Sequence, residues 1–275
     1  MIISDEAVDL SEIQKKMIRS GWGNEVLDNT EVKKIIYDSD GLKVQGYLAH
    51  PKINSQRLPL IIWNRGGNGR DGLIDDFLAK GIFGEIASWG FVVLASNYRQ
   101  EDEFGGKDVA DVFNLITLSD KIEFCDSTKI GMEGWSRGGM MTYKVLSLSD
   151  RINCAVIISG LADLFRSEKN RSSLMKVYIK LFGSDDKNEF ESRKKERSAV
   201  YFSDKISKST KILLIHGKAD KKVSYLDSTD MYRNLMDNGN YCELNLVESG
   251  DHYLRKQRKE VSRMRKDWFE KYLKN

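Results

Sequence analysis

Six short runs of this chain, most of them apolar throughout, constrain its fold more than any other feature. They are PLIIW (59–63), FVVLAS (91–96), KIGMEG (129–134), CAVIIS (154–159), KILLIHG (211–217) and CELNLV (242–247). A strand with one face in water alternates apolar and polar residues, whereas a strand covered on both faces has no reason to. Two further runs, EVKKIIYD and KVQGYLA, flank Ser39-Asp40-Gly41 and read as an antiparallel hairpin. Between the strands lie helical patterns. Val109, Val112, Phe113 and Ile116 recur at helical spacing, and 137–148, 224–237 and 258–273 are helix-like. In the last of these, Val261, Met264, Trp268, Phe269 and Tyr272 form one apolar stripe, which makes the Lys and Arg residues around it a solvated face. A short helix is expected at about 5–19.

Strands alternating with helices require a mostly parallel central sheet, here of about eight strands, with helices on both faces. The expectation is an α/β fold in one domain, 1–275, with a helical extension over 1–30. Residues 163–206 break the rhythm, being long, charged and helical. They read either as a partial cap over the carboxyl edge of the sheet or as a surface excursion.

Composition removes several classes of function. Lys and Arg outnumber Asp and Glu by only 44 to 41, which gives no reason to expect nucleic acid or a membrane as partner. The three cysteines, Cys125, Cys154 and Cys242, are too scattered for a disulfide framework or a metal cluster. With only three histidines, equally scattered, neither a metal nor another cofactor is expected. The N-terminus carries acids at Asp5, Glu6 and Asp9 where a signal peptide has a basic start, and no stretch reaches the length of a membrane span, so a cytoplasmic location is expected.

The chemistry centres on Gly134-Trp135-Ser136-Arg137-Gly138, a G-x-S-x-G sequence that follows a strand and opens a helix. Glycines two residues either side let the backbone turn sharply and leave the serine at the tip, where an acyl carbonyl can reach it. A serine hydroxyl needs a base to take its proton. His50 lies far upstream, before Pro51, and His216 ends a strand, where a packing or hydrogen-bonding role is expected. His252 sits in a loop after the last strand, placed to act as base. Asp220, in His216-Gly217-Lys218-Ala219-Asp220, is the carboxylate to orient it. Asp251 and Asp227 read as a loop cap and a solvated helix residue. The order Ser136, Asp220, His252 is that of an α/β-hydrolase. For the oxyanion, one donor is the N–H of Arg137. The other comes from the loop Asn64-Arg65-Gly66-Gly67-Asn68-Gly69, whose glycines allow close approach to a ligand, with Gly66 and Arg65 as candidates. Asn64, Arg65 and Trp135 are candidate substrate-binding residues.

The runs YDSDGLKVQGYLAHPK, NRGG, ASNYRQEDEFGGKDVADV, GWSRGG, RSAVYFSDKI, LLIHGKADKKV and DHY together resemble the catalytic domain of the prolyl oligopeptidase family of serine peptidases. The most specific element is the HGxxDxxV form of His216–Val223. The resemblance spans residues 32–272 and implies a Ser136, Asp220, His252 triad acting through an acyl-enzyme. It further implies a short peptide or acyl-amino-acid amide as substrate, and no β-propeller is expected ahead of the hairpin. Arg65 stands where the family often has Tyr or His. Its guanidinium is open to three roles: serving the oxyanion, binding a substrate carboxylate, or pairing with an acid such as Glu101 or Asp102. A carboxylesterase acting on small esters and a catalytically silent binding protein are the alternative readings, and the oligomeric state is open.

Overall fold

A computed structural model describes residues 1–53 and 56–274. Nine strands form one sheet: β1 (Ile2–Ala7), β2 (Thr30–Ser39), β3 (Leu42–Pro51), β4 (Leu58–Asn64), β5 (Val92–Ser96), β6 (Cys125–Trp135), β7 (Ile152–Ile158), β8 (Lys211–Gly217) and β9 (Cys242–Val247). Their spatial order is β1-β2-β3-β5-β4-β6-β7-β8-β9. The pairings from β5 through β9 are parallel, and β1, β2 and β3 add an antiparallel edge. The β2–β3 turn is made by Asp40 and Gly41, both at positive φ, as the Ser-Asp-Gly signal implies.

The continuous apolar runs are explained by two cores, one on each side of the sheet. Leu60, Ile62, Leu94, Met132, Ile157 and Leu214 pack to one side, beneath the helices Val109–Ser119, Arg137–Leu146 and Tyr225–Asp237. Their neighbours in sequence, Ile61, Trp63, Val93, Val156 and Ile215, pack to the other, against Ala79–Ala87 and the helix Arg258–Leu273. Alternate residues still go to alternate faces, but both faces are dry.

The start of the chain differs from the expected helix at 5–19. Residues 2–7 form edge strand β1, and the helix runs Glu12–Trp22. Five of the six β1 residues are exposed, so the strand carries no alternation and is held by its ladder to β2. The helix start was encoded: Ser11 and Gln14 form a reciprocal capping box.

Residues 163–206 fold as three helices, Leu164–Asn170, Ser173–Phe182 and Lys187–Arg197, followed by two 3-10 turns. They share the first core through Leu164, Tyr178, Phe182 and Phe190. They also reach the loop after β5: Tyr178 packs on Phe104 (ring centroids 5.5 Å), and Arg197 donates to the Glu103 carbonyl at 3.1 Å. That packing ties the segment to the first core and to the loop after β5. Among the described residues no helix is long and apolar enough to cross a membrane, and no cluster of His, Cys, Asp and Glu is arranged to hold a metal ion.

Candidate active site

The carboxyl ends of the parallel strands, where open α/β sheets place their ligands, bring together the loops after β4, β6, β8 and β9. Ser136 follows β6, in the middle of the parallel region, and takes φ 58° and ψ −120°. A non-glycine residue held there stores roughly 1–3 kcal/mol of strain, which the surroundings must impose. They do so through three backbone hydrogen bonds. The Ser136 N–H donates to the Ile158 carbonyl (3.0 Å), and its carbonyl accepts from Gly139 (2.9 Å) and Leu161 (3.0 Å).

The flanking glycines are sterically required. A Cβ on Gly138 would stand 1.9 Å from the Asn64 carbonyl oxygen, and one on Gly134 would stand 2.2 Å from the carbonyl of Gly138. The elbow is therefore packed backbone to backbone against the end of β4.

Asp220 and His252 approach from β8 and β9. Their loops interlock where Gly217 meets Gly250, since a Cβ on Gly217 would lie 2.1 Å from the Gly250 carbonyl oxygen. The N–H of Ala219 donates to that same carbonyl at 3.0 Å. Asp220 Oδ2 accepts from His252 Nδ1 at 2.7 Å, while Oδ1 accepts the N–H groups of Lys222 (2.7 Å) and Val223 (3.0 Å). Burial alone would raise the pKa of this carboxyl. Hydrogen bonds from His216 and His252 outweigh that effect and hold it well below the usual carboxylate range.

With Nδ1 engaged, His252 keeps Nε2 for chemistry, and the residue is buried to 7 % exposure. Trp135, the residue before the serine, donates its indole N–H to the His252 carbonyl at 3.1 Å. The histidine loop is thereby tied to the elbow. Ser136 Oγ makes no hydrogen bond to a described residue.

The glycine loop after β4 runs past the serine. A Cβ on Gly66 would lie 3.2 Å from Ser136 Cβ and 3.8 Å from its Oγ. Arg137 opens its helix, so its N–H is one of the orphan donors of a helix start.

Other candidates occupy different roles from those expected. The Arg65 guanidinium is buried and turned into its own loop. It donates to the carbonyls of Asn97 (3.1 Å), Gly66 (3.0 Å) and Gly69 (3.2 Å) and lies over the Tyr98 ring. Its nearest carboxylate, Asp102, is 3.9 Å away. Arg65 is thus a strut for the glycine loop, and the expected oxyanion or substrate contact through its side chain is corrected. Asn64 is likewise buried, its amide donating to Thr142 Oγ1 at 3.0 Å, so it does not face a substrate. The polar group of Trp135 is spent on His252, which leaves only its ring as a wall. Asp227, expected on a solvated face, is buried; its Oδ2 accepts from the N–H groups of Ala162 (2.9 Å) and Asp163 (3.1 Å).

Sequence reasoning missed what the side chain of Arg137 does. Wholly buried, it pairs with Asp102 and Asp108, donates to the Gly67 carbonyl at 3.0 Å, and stacks on Phe104 and Tyr98. No local pattern in 98–108 signals this, because the two acids reach one guanidinium only through the fold of that loop. His50 is remote from the site, hydrogen-bonded to the Pro51 carbonyl and packed on Phe124.

Comparison with known proteins bears on the family and the fold. A Bacillus subtilis protein, the uncharacterized peptidase YtmA, is 29% identical over 198 residues, covering 69% of this chain and 74% of its own length. The acylaminoacyl peptidase of Pyrococcus horikoshii superposes with a TM-score of 0.77 at 21% identity, over 90% of this chain and 42% of that one. A puromycin-hydrolyzing peptidase of Mycobacterium tuberculosis gives 0.73 at 19% identity, over 91% and 40%. This chain thus spans about two fifths of those two solved proteins, and the likeness establishes the α/β-hydrolase fold. The prolyl oligopeptidase family model matches residues 85–275, from the helix after the glycine loop to the C-terminus. By that match the chain belongs to the prolyl oligopeptidase family, whose members are serine peptidases.

Proposed function

We propose that this protein hydrolyses an acyl bond of a short peptide or acyl-amino-acid amide, with Ser136 as nucleophile, His252 as base and Asp220 as the group that orients the base. The observation that carries the reading is the 2.7 Å hydrogen bond between Asp220 and His252, on a loop that Trp135, next to the strained Ser136, holds through its indole N–H.

In this mechanism neutral His252 Nε2 takes the Ser136 hydroxyl proton as Oγ bonds to the carbonyl carbon. The carbonyl π electrons move to oxygen, and the N–H groups of Gly66 and Arg137 receive the oxyanion. Asp220 stabilises the imidazolium through Nδ1–H. When the intermediate collapses, Nε2–H protonates the leaving amine and an acyl-Ser136 ester remains. Water then repeats the sequence, losing a proton to His252, and releases the acid and Ser136.

The substrate class rests on the family and on the structural neighbours, which are acylaminoacyl and puromycin-hydrolyzing peptidases. Ser136→Ala should lower kcat by about 10⁶ if the three groups act as a unit. An unchanged rate would place the nucleophile elsewhere. The ratio of activity on an acyl-aminoacyl arylamide to that on a short p-nitrophenyl ester tests the substrate. Strong preference for the ester would make the protein a carboxylesterase, and no turnover of either would favour a binding role.

A further inference from the structure

Two imidazoles converge on one carboxylate oxygen. Asp220 Oδ2 lies 2.7 Å from His252 Nδ1 and 3.2 Å from His216 Nε2. His216, at the end of β8, is completely buried. Its Nε2 is also 3.2 Å from the Val223 carbonyl oxygen, and its Nδ1 is 2.7 Å from the Ser228 hydroxyl.

These partners fix the tautomer. A carboxylate and a carbonyl can only accept, so Nε2 carries the proton. The Ser228 hydroxyl can donate or accept, so in the neutral ring, with its proton on Nε2, Nδ1 accepts from it. Neutral His216 satisfies every one of these contacts. Packing at a strand end calls for no such assignment of both ring nitrogens.

We propose that His216 is a positioning residue, whose Nε2–H shares Asp220 Oδ2 with His252 and so sets how strongly that carboxylate holds the protonated base. The inference rests on the triad reading above. An oxygen that accepts two N–H donors offers less negative charge to each of them. With His216 donating, the His252 imidazolium is stabilised enough to form during attack yet gives up its proton to the leaving group. Without it, Asp220 becomes the stronger partner of His252 and the base stays protonated to higher pH.

The groups around the pair are few. The β8–helix loop brings Asp220, the β9 loop brings His252, and the helix Tyr225–Asp237 brings the neutral Ser228 hydroxyl. Asp227 of that helix is turned to Ala162, Asp163 and Arg166. Tyr253 packs edge-on against the His252 ring (centroids 5.2 Å), and its hydroxyl accepts from Lys222 Nζ at 2.5 Å.

The test is the pH profile of kcat/KM for His216→Phe, which keeps a ring and removes both nitrogens, beside His216→Gln, which offers an amide N–H near the place of Nε2–H. The acid limb of His216→Phe should move to higher pH by roughly half a unit to one unit, the size expected from losing one hydrogen bond to the carboxylate. His216→Gln should move it back. A folded His216→Phe enzyme whose acid limb coincides with wild type would overturn the proposal. Should that variant not fold, nitrogen-15 spectra of histidine-labelled wild type decide: His216 must appear as the neutral Nε2–H tautomer, and an Nδ1–H tautomer overturns the idea. Failure of the triad reading is separate, since it would show as activity that survives Ser136→Ala.

Discussion

The guanidinium of Arg137 grips the carboxylate of Asp102 with two parallel hydrogen bonds, Nη1 to Oδ2 at 2.5 Å and Nη2 to Oδ1 at 2.6 Å. The pair joins the two halves of the proposed oxyanion site. Asp102 Oδ2 accepts the Gly69 N–H at 3.0 Å, and Arg137 Nη1 donates to the Gly67 carbonyl at 3.0 Å. The residue after the nucleophile thus holds the glycine loop with its side chain while offering its own N–H to the oxyanion.

Asp102→Asn should therefore impair catalysis from a position that need not touch substrate. Arg137 retains Asp108, so the fold should survive, but the amide cannot reproduce both bonds to the guanidinium. Misplacing the Gly66 N–H should lower kcat by about tenfold to a hundredfold, with KM little changed, a fraction of the cost of deleting an oxyanion donor. Steady-state kinetics beside a thermal melt check this. A normal kcat would mean that the glycine loop holds its shape without the pair.

Lys80 gives a pH signature in stability. Its Nζ is buried and donates to the Thr30 carbonyl at 2.9 Å. Burial, reinforced by the charge of Lys52 and opposed by Glu31, pulls its pKa down to about 8 from the ordinary 10.5. Between those values the unfolded chain binds more protons than the folded one, so this group makes stability rise with pH across that window. Below about 8 both forms are protonated and the burial penalty is complete. The effect of Lys80→Met on stability should accordingly be more favourable at pH 7 than at pH 10. Urea unfolding at the two pH values measures it, and an equal effect at both would refute the assignment.

Arg265 pins the last helix to the sheet. It donates to Glu133 Oε2 at 2.8 Å and to Glu85 Oε2 at 3.0 Å, while Glu133 Oε1 accepts the Trp63 indole N–H at 2.9 Å. Arg265→Met would leave the buried Glu133 carboxylate without its cation, while Glu85 keeps Arg258 at 3.4 Å, and losing one partner of a buried pair costs about 3–5 kcal/mol. Chemical denaturation should show that loss. Because none of these groups belongs to the proposed site, activity at low temperature should remain.

How much of this was legible in the sequence depends on how far each signal reaches. The buried strands were readable because a run such as PLIIW can only be satisfied by two dry faces. The elbow was readable because two glycines and a serine must be adjacent in sequence to make the turn. Asp220 and His252 were placed by their positions after β8 and β9, which the parallel sheet brings to one edge. Strand β1 was hidden because an edge strand exposed along most of its length needs no hydrophobic pattern. The true partners of Arg65 and Arg137 were hidden for another reason. A long side chain can turn into its own loop, as Arg65 does, or reach acids some thirty residues away, as Arg137 does, and only packing decides which carboxylate or carbonyl it meets. For His216 the strand end implied only packing or hydrogen bonding, because its sharing of an oxygen with His252 depends on the turn between β8 and the following helix.

The most direct measurement is the intact mass of the protein after treatment with a fluorophosphonate, for wild type beside Ser136→Ala. The account predicts one covalent adduct on wild type and none on the variant, because only a serine activated by His252 reacts at such a rate. No adduct on folded wild-type protein, or an equal adduct on Ser136→Ala, would contradict it.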